Sequence, residues 1–405
     1  MAHDDREQVL DYPLSRPAAL EPPTEWAELQ QQCPIARVKL PSGDEALLLT
    51  RYEDVKQVLS NPRFTRNLHA DDAAQITDSE GGLFNNEMSD AIPHDAEGHQ
   101  RWRRMLTRWF TTKRMNALRP GIEAMAERLV DEMVKRGQPA DLKADVGFPL
   151  PVGVICEMLG VPDSDRHRFS HWSDTMLNLT RYTGAEAKAA QEEFTEYMAV
   201  HIAAKRAEPG EDVLSALITA SDSEDERMPD AALVATGQGL LVAGHETTSN
   251  MIGKIVAMLL IDRRRWEQLL ADRSLTRSAV EEALRYDANL GFGMPRYIRE
   301  EVEVACTMLP SGTTVMCDMS AANRDENAFA GAGDMNLTRS PNPHLAFGAG
   351  PHSCLGQALA RTELQVVLDV LLRKLPTLDL AVPAEDLRRV EGLVVGGLTE
   401  LPVRW

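Results

Sequence analysis

The sequence predicts a mainly helical protein with small β-sheets. Six long segments carry apolar residues every three to four positions, which is the spacing that lines one face of an α-helix. Segments that resemble strands are fewer and shorter, and they lie beside turn-forming residues. Because no internal repeat and no low-complexity linker interrupts the 405 residues, we expect one domain over 1–405, with residues 1–25 as an extended N-terminal segment.

The individual elements follow from the same patterns. Helices are predicted over Glu97–Phe110, Leu118–Val134, Ala187–Ala207, Pro229–Asp262, Arg277–Arg285 and Leu355–Lys374. Pro229 suits the first turn of the longest helix, because a first-turn residue needs no N–H donor. Strands are predicted over Ile35–Leu40, Ala46–Leu49, Val302–Cys306 and Thr313–Cys317. Turns are expected at Ser42-Gly43-Asp44 and at Pro310-Ser311-Gly312, where the residue types favour them.

Composition and charge exclude several classes of protein. Lys and Arg number 43 against 62 Asp and Glu, which gives a formal net charge of −19, whereas nucleic-acid binders usually carry a basic surface. With 43% hydrophobic residues the chain can bury a core, which excludes a disordered or fibrous protein. The five cysteines contain no Cys-x-x-Cys pair, so neither a disulfide framework nor a zinc ribbon is predicted. Without a signal-like N-terminus or an apolar run of about 18 residues, we expect a cytoplasmic protein that contacts no membrane.

A loop rich in Asn, Gly, Pro and Ala is predicted from Ser320 to Gly350, and a cysteine follows it. Loops of that length inside a compact domain usually have a function. Gly348 and Gly356 on either side of Cys354 permit the close approach of a flat ligand. A cysteine at the start of a helix is expected to have a lowered pKa, and such a thiolate is suited to ligating haem iron. The alternative is a structural cysteine in a tight turn.

The longest predicted helix contains an unusual polar segment. Gly244 costs the helix about 1 kcal/mol relative to alanine, and the polar residues Glu246, Thr247 and Thr248 follow it. Buried polar groups need partners, and local departures from folding rules are expected at functional sites. A carboxyl beside a hydroxyl can move protons to bound oxygen. The alternative is a helix kink in which the Thr hydroxyls bond back to backbone carbonyls.

Together these two segments resemble the motifs of the cytochrome P-450 family, the haem-thiolate monooxygenases. Phe347-Gly348-x-Gly350-x-His352-x-Cys354-x-Gly356 resembles the cysteine-ligand signature of the family. Ala243-Gly244-x-Glu246-Thr247 resembles its oxygen-activation motif. The resemblance extends from about Cys33 to the end of the chain and favours the soluble bacterial type.

The resemblance implies a cofactor and a place for it. In the cytochrome P-450 fold, haem b (iron protoporphyrin IX) lies between a long central helix and the helix after the cysteine loop. Cys354 would then be the iron ligand, and Glu246 and Thr247 the catalytic residues. The further haem contacts that the resemblance implies are Phe347, Gly348, Ala243 and Gly356.

The resemblance also implies cations for the two haem propionates. His99 and Arg103 lie one turn apart on a predicted helix, so both side chains project from the same face. Arg296, on a strand, and His352, in the cysteine loop, are the other two candidates. Two carboxylates enclosed by an acidic protein need such cations. For each residue the alternative is an ordinary surface charge or a hydrogen-bonded histidine.

A structural ion pair is implied between Glu282 and Arg285, which lie three positions apart on one helix face. In the family, an arginine of an Arg-Phe pair normally completes a triad with these two residues. This chain has Asp334-Met335 near that position, which leaves the third partner open. The candidates are Arg324 and Arg339.

Residues 101–114 form a basic stretch without an acidic residue, a local reversal of the overall charge. One interpretation is a solvated helix face, and the other is a docking surface for an acidic redox partner. The resemblance favours the second, with a ferredoxin and a ferredoxin reductase that draw electrons from NAD(P)H. The chain has no Gly-x-Gly-x-x-Gly motif for binding a nucleotide itself. The basic residues are Arg101, Arg103, Arg104, Arg108, Lys113 and Arg114, and Arg361 is a further candidate.

The resemblance therefore implies a haem-dependent monooxygenase. It would use dioxygen and two electrons from the ferredoxin system to oxidise a medium-sized organic substrate, with the tailoring of a secondary metabolite as the predicted role. Three alternatives remain: oxidative C–C or C–N coupling of an aromatic natural product such as a cyclic dipeptide, a peroxide-driven enzyme, and a non-enzymatic haem sensor. By family position, the substrate pocket is predicted to include Asn86, Met88, Trp172, Met176, Gln238, Asn289 and Phe292.

Overall fold

The computed structural model describes residues 9–78, 91–92, 96–221, 228–288 and 292–405. In these residues the helices run over Glu25–Gln32, Tyr52–Ser60, Ala96–Thr107, Thr112–Arg136, Pro149–Leu159, Arg166–Met176, Gly184–Ala207, Val213–Ser221, Asp230–Ile261, Arg263–Ala271, Thr276–Tyr286, Met319–Ala322 and Gln357–Lys374. The strands are Leu10–Asp11, Ile35–Lys39, Glu45–Leu49, Phe64–Thr65, Ala140–Asp141, Met294–Ile298, Val302–Val304, Thr307–Leu309, Thr314–Cys317, Asp379–Leu380 and Pro402–Arg404. The predicted class, mainly helical with small sheets, is confirmed.

All six predicted helices are present, but their ends differ from the prediction. The central helix, Asp230–Ile261, begins one residue later than predicted because Pro229 is its extended N-cap rather than a first-turn residue. The C-terminal helix, Gln357–Lys374, begins two residues later than predicted, with Gly356 at its N-cap. The helix Pro149–Leu159 was not predicted. It is apolar on nearly all sides, so it lacks the one-sided pattern that indicates a surface helix.

The larger sheet has six strands, and one of them carries Arg296. Its spatial order is Leu10–Asp11, Ile35–Lys39, Glu45–Leu49, Thr314–Cys317, Met294–Ile298 and Phe64–Thr65. The second and third strands form an antiparallel hairpin across the predicted turn, where Gly43 has φ +95°. The strand that carries Arg296 pairs antiparallel with Thr314–Cys317 on one side and with Phe64–Thr65 on the other.

Two hydrophobic clusters pack against different parts of the central helix. Leu241 and Val242 belong to a cluster with Trp172 and Phe194. Later residues of the helix, such as Met251, belong to a second cluster, which includes the C-terminal helix. The polar segment of the central helix therefore lies where the two clusters meet.

No helix among the described residues is both long enough and apolar enough to cross a membrane.

Candidate active site

A cavity of about 320 Å³ lies between the central helix and the cysteine loop. Thr247 of the central helix and Cys354 of the loop both line it. The structure therefore brings together the two motifs that were singled out separately in the sequence. Its lining also includes Leu59, Arg66, Arg103, Phe110, Ile155, Leu240, Ala243, Gly244, Thr248, Met251, Leu284, Met294, Arg296, Met319, Ala346, Phe347, Gly348, Ala349, His352, Ser353, Leu355, Gly356, Leu359, Ala360 and Leu364.

The cysteine loop is held by backbone geometry that its glycines permit. Gly348 and Gly350 have φ +67° and +69°, in the left-handed region that favours glycine. A Cβ at Gly350 would also meet the backbone of Leu59 at 2.7 Å, so this position has no room for a side chain. The N–H of Cys354 donates to the carbonyl of Phe347 at 2.8 Å, which closes the loop beneath the cavity.

The environment of the Cys354 thiol differs from the sequence expectation. Burial raises the pKa of the thiol, and this effect outweighs the hydrogen bonds from the N–H groups of Gly356 and Gln357 and the nearby guanidinium groups of Arg103 and Arg361. The expected lowering by a helix N-terminus is therefore wrong for the protein alone, since the helix begins only at Gln357. The donors for a thiolate are nevertheless in place and would act together with a bound cation.

One end of the cavity is strongly cationic. Arg66, Arg103, Arg296 and His352 all line it, and none of the described lining residues is acidic. Burial and the guanidinium groups of Arg296 and Arg103 lower the pKa of Arg66 to about 10. Burial, with Arg66 as the first of the nearby charges, lowers the pKa of His352 to about 3. Like charges held together in this way indicate a site for a dianionic group.

The residues present fit haem. The Cys354 thiol could ligate the iron, and the cationic end matches the two propionates. His352 Nδ1 is buried without a hydrogen-bond partner among the described residues, which leaves it available to a carboxylate or to water. The ring of His99 lies 4.1 Å from the ring of His352, so the structure brings this predicted residue to the same end, although it does not line the cavity.

Arg66 was missed by sequence reasoning. It follows the strand Phe64–Thr65, whose Thr65 pairs with Tyr297, next to Arg296. In the structure no hydrogen bond or ion pair is found for Arg66 among the described residues, whereas Arg296 donates to the carbonyl of Pro295 at 2.8 Å. No local signal could have identified it, because its position depends on strand pairing between distant segments.

The polar segment of the central helix borders both the cavity and the neighbouring helix Pro149–Leu159. Ala243, Gly244, Thr247 and Thr248 line the cavity. The Thr247 hydroxyl donates to the carbonyl of Ala243 at 3.1 Å, which is the back-bonded arrangement considered as the alternative. A Cβ at Gly244 would meet Ile155 at 2.7 Å, so glycine here allows the neighbouring helix to pack closely. The structure therefore has features of both interpretations: Thr247 lines the cavity, and its hydroxyl is also bonded back to a backbone carbonyl.

Glu246 does not line the cavity. Its Oε1 accepts a hydrogen bond from the Asn250 amide at 2.8 Å, and burial raises the pKa of its carboxyl. Lys143 and Arg181 act in the opposite direction on this pKa. Asp174 lies in the same group, and Glu246 contributes to the raised pKa of that carboxyl. The side chain of Asp174 is partly exposed and contacts Arg181 at 3.2 Å, so charged groups connect Glu246 toward the surface.

The predicted substrate residues lie mostly in the packed core rather than around this cavity. Trp172 stacks on Phe194 with ring centroids 4.7 Å apart, and Met176 is also buried. Gln238 donates to Thr195 at 3.1 Å. They were chosen by position along the chain, which does not give the direction of a side chain.

Of the other predicted substrate residues, Phe292 lies among the described residues. Phe292 packs against Tyr12 with ring centroids 5.1 Å apart, away from the cavity lining. Asn86, Met88 and Asn289 lie outside the described residues.

Arg339 is the third partner of the Glu282–Arg285 ion pair. Glu282 and Arg285 are both fully buried and contact each other at 2.8 Å. The Nε of Arg339 lies 3.1 Å from the Glu282 carboxylate. Arg324 instead donates to backbone carbonyls, including that of Ala332 at 3.0 Å, and stacks on Tyr286.

We expect Arg339→Gln to lower the free energy of unfolding by about 1–3 kcal/mol. The substitution leaves part of a buried carboxylate without its charged donor, although Arg285 still binds Glu282. Chemical denaturation followed by circular dichroism measures the change. Arg277→Gln, at an exposed position on the helix that carries Glu282 and Arg285, is the control and is expected to change stability by less than about 0.5 kcal/mol. Equal effects of the two substitutions would contradict the assignment.

The basic stretch divides between the surface and the cavity. Arg103 lines the cavity and donates to the carbonyl of Ser353. Arg361 is bound to Glu281 at 2.7 Å, so it is not a free surface cation. The exposed basic residues of the stretch are Arg101, Arg104, Arg108, Lys113 and Arg114.

Comparisons with known proteins agree with the cavity and its motifs. A family model described as Cytochrome P450 matches residues 152–378. Nocardicin C N-oxygenase of Nocardia uniformis subsp. tsuyamanensis is 39% identical over 403 residues, which cover 99% of this chain and 100% of that protein. Mycinamicin IV hydroxylase/epoxidase of Micromonospora griseorubida is 40% identical over 398 residues, which cover 97% of this chain and 98% of that protein.

Solved structures give the same result. The structure of SgvP, a putative thioether synthase in the tailoring step of griseoviridin, matches with a TM-score of 0.93 at 38% identity, covering 98% of this chain and 100% of that one. The mixed-function P450 MycG matches with a TM-score of 0.87 at 39% identity and the same coverage.

Proposed function

This chain belongs to the cytochrome P450 family and is a haem-dependent monooxygenase; we propose that it tailors a secondary metabolite with electrons from a ferredoxin. One observation carries the assignment of its site. A single cavity contains the Cys354 thiol, a cluster of guanidinium groups without an acidic partner, and the Thr247 hydroxyl. These are the groups needed to ligate iron, to bind propionates and to donate a proton.

Each group of the chain has a separate task. Haem, when bound, supplies an iron at which dioxygen is reduced and the substrate is oxidised. Cys354 would ligate that iron, with its sulfur supported by the N–H groups of Gly356 and Gln357. Arg66, Arg103 and Arg296, with His352 and His99, would hold the propionates. The backbone of Phe347 and Gly348 gives the loop its shape beneath the cofactor.

Proton delivery would fall to the central helix. Burial raises the pKa of the Glu246 carboxyl, which favours the protonated form that an acid in this role needs. Thr247 faces the cavity and could turn its hydroxyl from the carbonyl of Ala243 toward the cavity. Asp174 and Lys143 interact electrostatically with Glu246 and would return protons to it.

We expect Thr247→Ala to separate oxygen consumption from product formation. Without the hydroxyl, protons reach the oxygen less selectively, and the yield of product per NAD(P)H should fall about a hundredfold while hydrogen peroxide rises. Nocardicin C and mycinamicin IV, which the names of two relatives supply, are the first substrates to test. Thr247→Ser is the control, since it keeps the hydroxyl and should retain most of the yield. An unchanged yield in Thr247→Ala, or turnover with peroxide but none with ferredoxin, would contradict the proposal.

The exposed basic residues support docking of an acidic ferredoxin. Charge complementarity at such a surface mainly raises the association rate, and it weakens as salt increases. We expect Arg101→Glu with Arg104→Glu to raise the KM for ferredoxin about tenfold and to flatten its dependence on ionic strength. Stopped-flow reduction by a plant-type or bacterial ferredoxin measures both. Arg299→Glu, an exposed position outside the stretch, should change neither quantity.

A second reaction type is favoured by one comparison. The structure with a TM-score of 0.93 is described as a putative thioether synthase, a name that denotes bond formation to sulfur rather than hydroxylation. Oxidative coupling without oxygen insertion would use the same cavity and electron supply. Incorporation of label from ¹⁸O₂ into the product distinguishes it from hydroxylation.

A further inference from the structure

His245 is a fully buried residue of the central helix to which the proposed function gives no task. Its Nδ1 lies 2.7 Å from the carbonyl oxygen of Leu241. Its Nε2 lies 3.1 Å from the hydroxyl of Ser173 and 3.6 Å from Oε2 of Glu246. The ring of Phe148 meets it edge to face at 5.6 Å and closes the remaining side. The Nδ1 of His245 thus faces the Leu241 carbonyl, and its Nε2 faces Ser173 and Glu246.

These contacts determine which ring nitrogen carries the proton. A carbonyl oxygen only accepts, so Nδ1 of His245 must be the donor to Leu241. Burial lowers the pKa of the ring to about 4, so the ring is neutral and Nε2 has a free lone pair. The Ser173 hydroxyl therefore donates to Nε2, and Nε2 is an acceptor on the side that faces Glu246.

The same reasoning places the proton of Glu246. Its Oε1 already accepts from Asn250, so Oε2 is the oxygen nearest to Nε2 of His245. An ionised Oε2, 3.6 Å from Nε2, would face a lone pair, which is repulsive in a buried site, whereas a protonated Oε2 can turn its hydrogen toward that lone pair. Burial raises the pKa of Glu246 in agreement with this, against the opposing effect of Lys143 and Arg181.

We propose that His245 is a positioning residue that holds the acid proton of Glu246 on Oε2, turned away from the cavity. The proposal rests on the role given to Glu246 above. Only a proton changes place: the carboxyl turns its O–H from Nε2 of His245 toward the cavity and gives the proton to an acceptor there, after which Glu246 carries the negative charge and the histidine stays neutral. Ser173 shares the same lone pair and so weakens the hold of His245 on that proton.

Infrared difference spectroscopy of the haem-loaded protein at neutral pH tests the proposal. Glu246→Gln identifies the C=O stretch of the Glu246 carboxylic acid by removing it, and exchange into D₂O shifts the same band. Because donation by the O–H lowers this frequency, His245→Phe is expected to raise it. Ser173→Ala is expected to lower it, since Nε2 then serves Glu246 alone. Ser170→Ala, an exposed serine on the same helix as Ser173, should leave the band unchanged.

His245→Phe and Ser173→Ala should shift the Glu246 band in opposite directions if the two residues share the lone pair of Nε2. General loosening of the core would shift the band in the same direction in both variants. His245→Gln adds a rescue, because its amide oxygen can accept the proton of Glu246 and should restore a lower frequency. Ser173→Ala removes only a hydroxyl, so it remains informative if His245→Phe does not fold. The absence of a carboxylic acid band for Glu246, or a band insensitive to both variants, overturns the proposal. The product yield of Thr247→Ala tests the proposed function separately, so either can fail alone.

Discussion

Replacing Cys354 with alanine is expected to abolish the red-shifted Soret band of the carbon monoxide complex and to reduce turnover below detection. The substitution removes the sulfur at the floor of the cavity, while the loop hydrogen bond from residue 354 to Phe347 uses the backbone and survives. The loop should therefore keep its shape, and the protein should lose its thiolate ligand rather than its fold. The difference spectrum of dithionite-reduced protein with carbon monoxide measures the effect.

The control for this prediction is Cys306→Ala. Cys306 is an exposed cysteine in the turn between Val302–Val304 and Thr307–Leu309, outside the cavity lining. The Cys306→Ala variant should keep the red-shifted band at full amplitude. If Cys354→Ala binds haem and still gives the band, the ligand is another residue and the assignment of the site fails.

The second large effect is expected at Arg66. Arg66→Met should weaken the binding of haem about 10- to 100-fold, because a charge-assisted hydrogen bond to a carboxylate contributes about 1.5–3 kcal/mol. The binding of haem dimethyl ester, which lacks the two negative charges, should change little. Transfer of haem to apomyoglobin measures the first quantity, and titration of the apoprotein measures the second.

The same substitution should have the opposite effect on the apoprotein. Arg66, Arg103 and Arg296 repel one another when no anion separates them, so Arg66→Met should raise the Tm of the apoprotein. Arg63→Met, at an exposed position three residues earlier, is the control and should change neither haem affinity nor Tm. Equal losses for haem and for its dimethyl ester would mean that Arg66 supports the fold and does not bind carboxylates.

Much of the site could be predicted because its motifs are local. The cysteine loop is one continuous segment, in which glycine is required at Gly350 by the backbone of Leu59 and at Gly348 by a positive φ. The polar segment around Thr247 is likewise read from neighbouring residues of one helix. Such features depend on short-range geometry, and the sequence displays it directly.

The parts that could not be predicted depend on distant segments. Arg66 reaches the cavity because Phe64–Thr65 pairs with the strand of Arg296, and nothing in either segment specifies the other. Arg339 rather than Arg324 binds Glu282, a choice made by the path of the intervening loop. Trp172 turns into the core because Phe194 offers a stacking partner there. Side-chain direction and strand pairing are properties of the assembled fold.

The fit between Gly350 and the helix Tyr52–Ser60 has a consequence for the order of events during biosynthesis. The cysteine loop is seated against a helix near the beginning of the chain, while the loop itself lies near the end. Contacts so far apart in sequence form late in folding, because closing the large loop between them costs entropy before any contact is gained. This contact therefore cannot form until the helix Tyr52–Ser60 and the cysteine loop have both been synthesised. Haem binding at the completed loop follows at that stage.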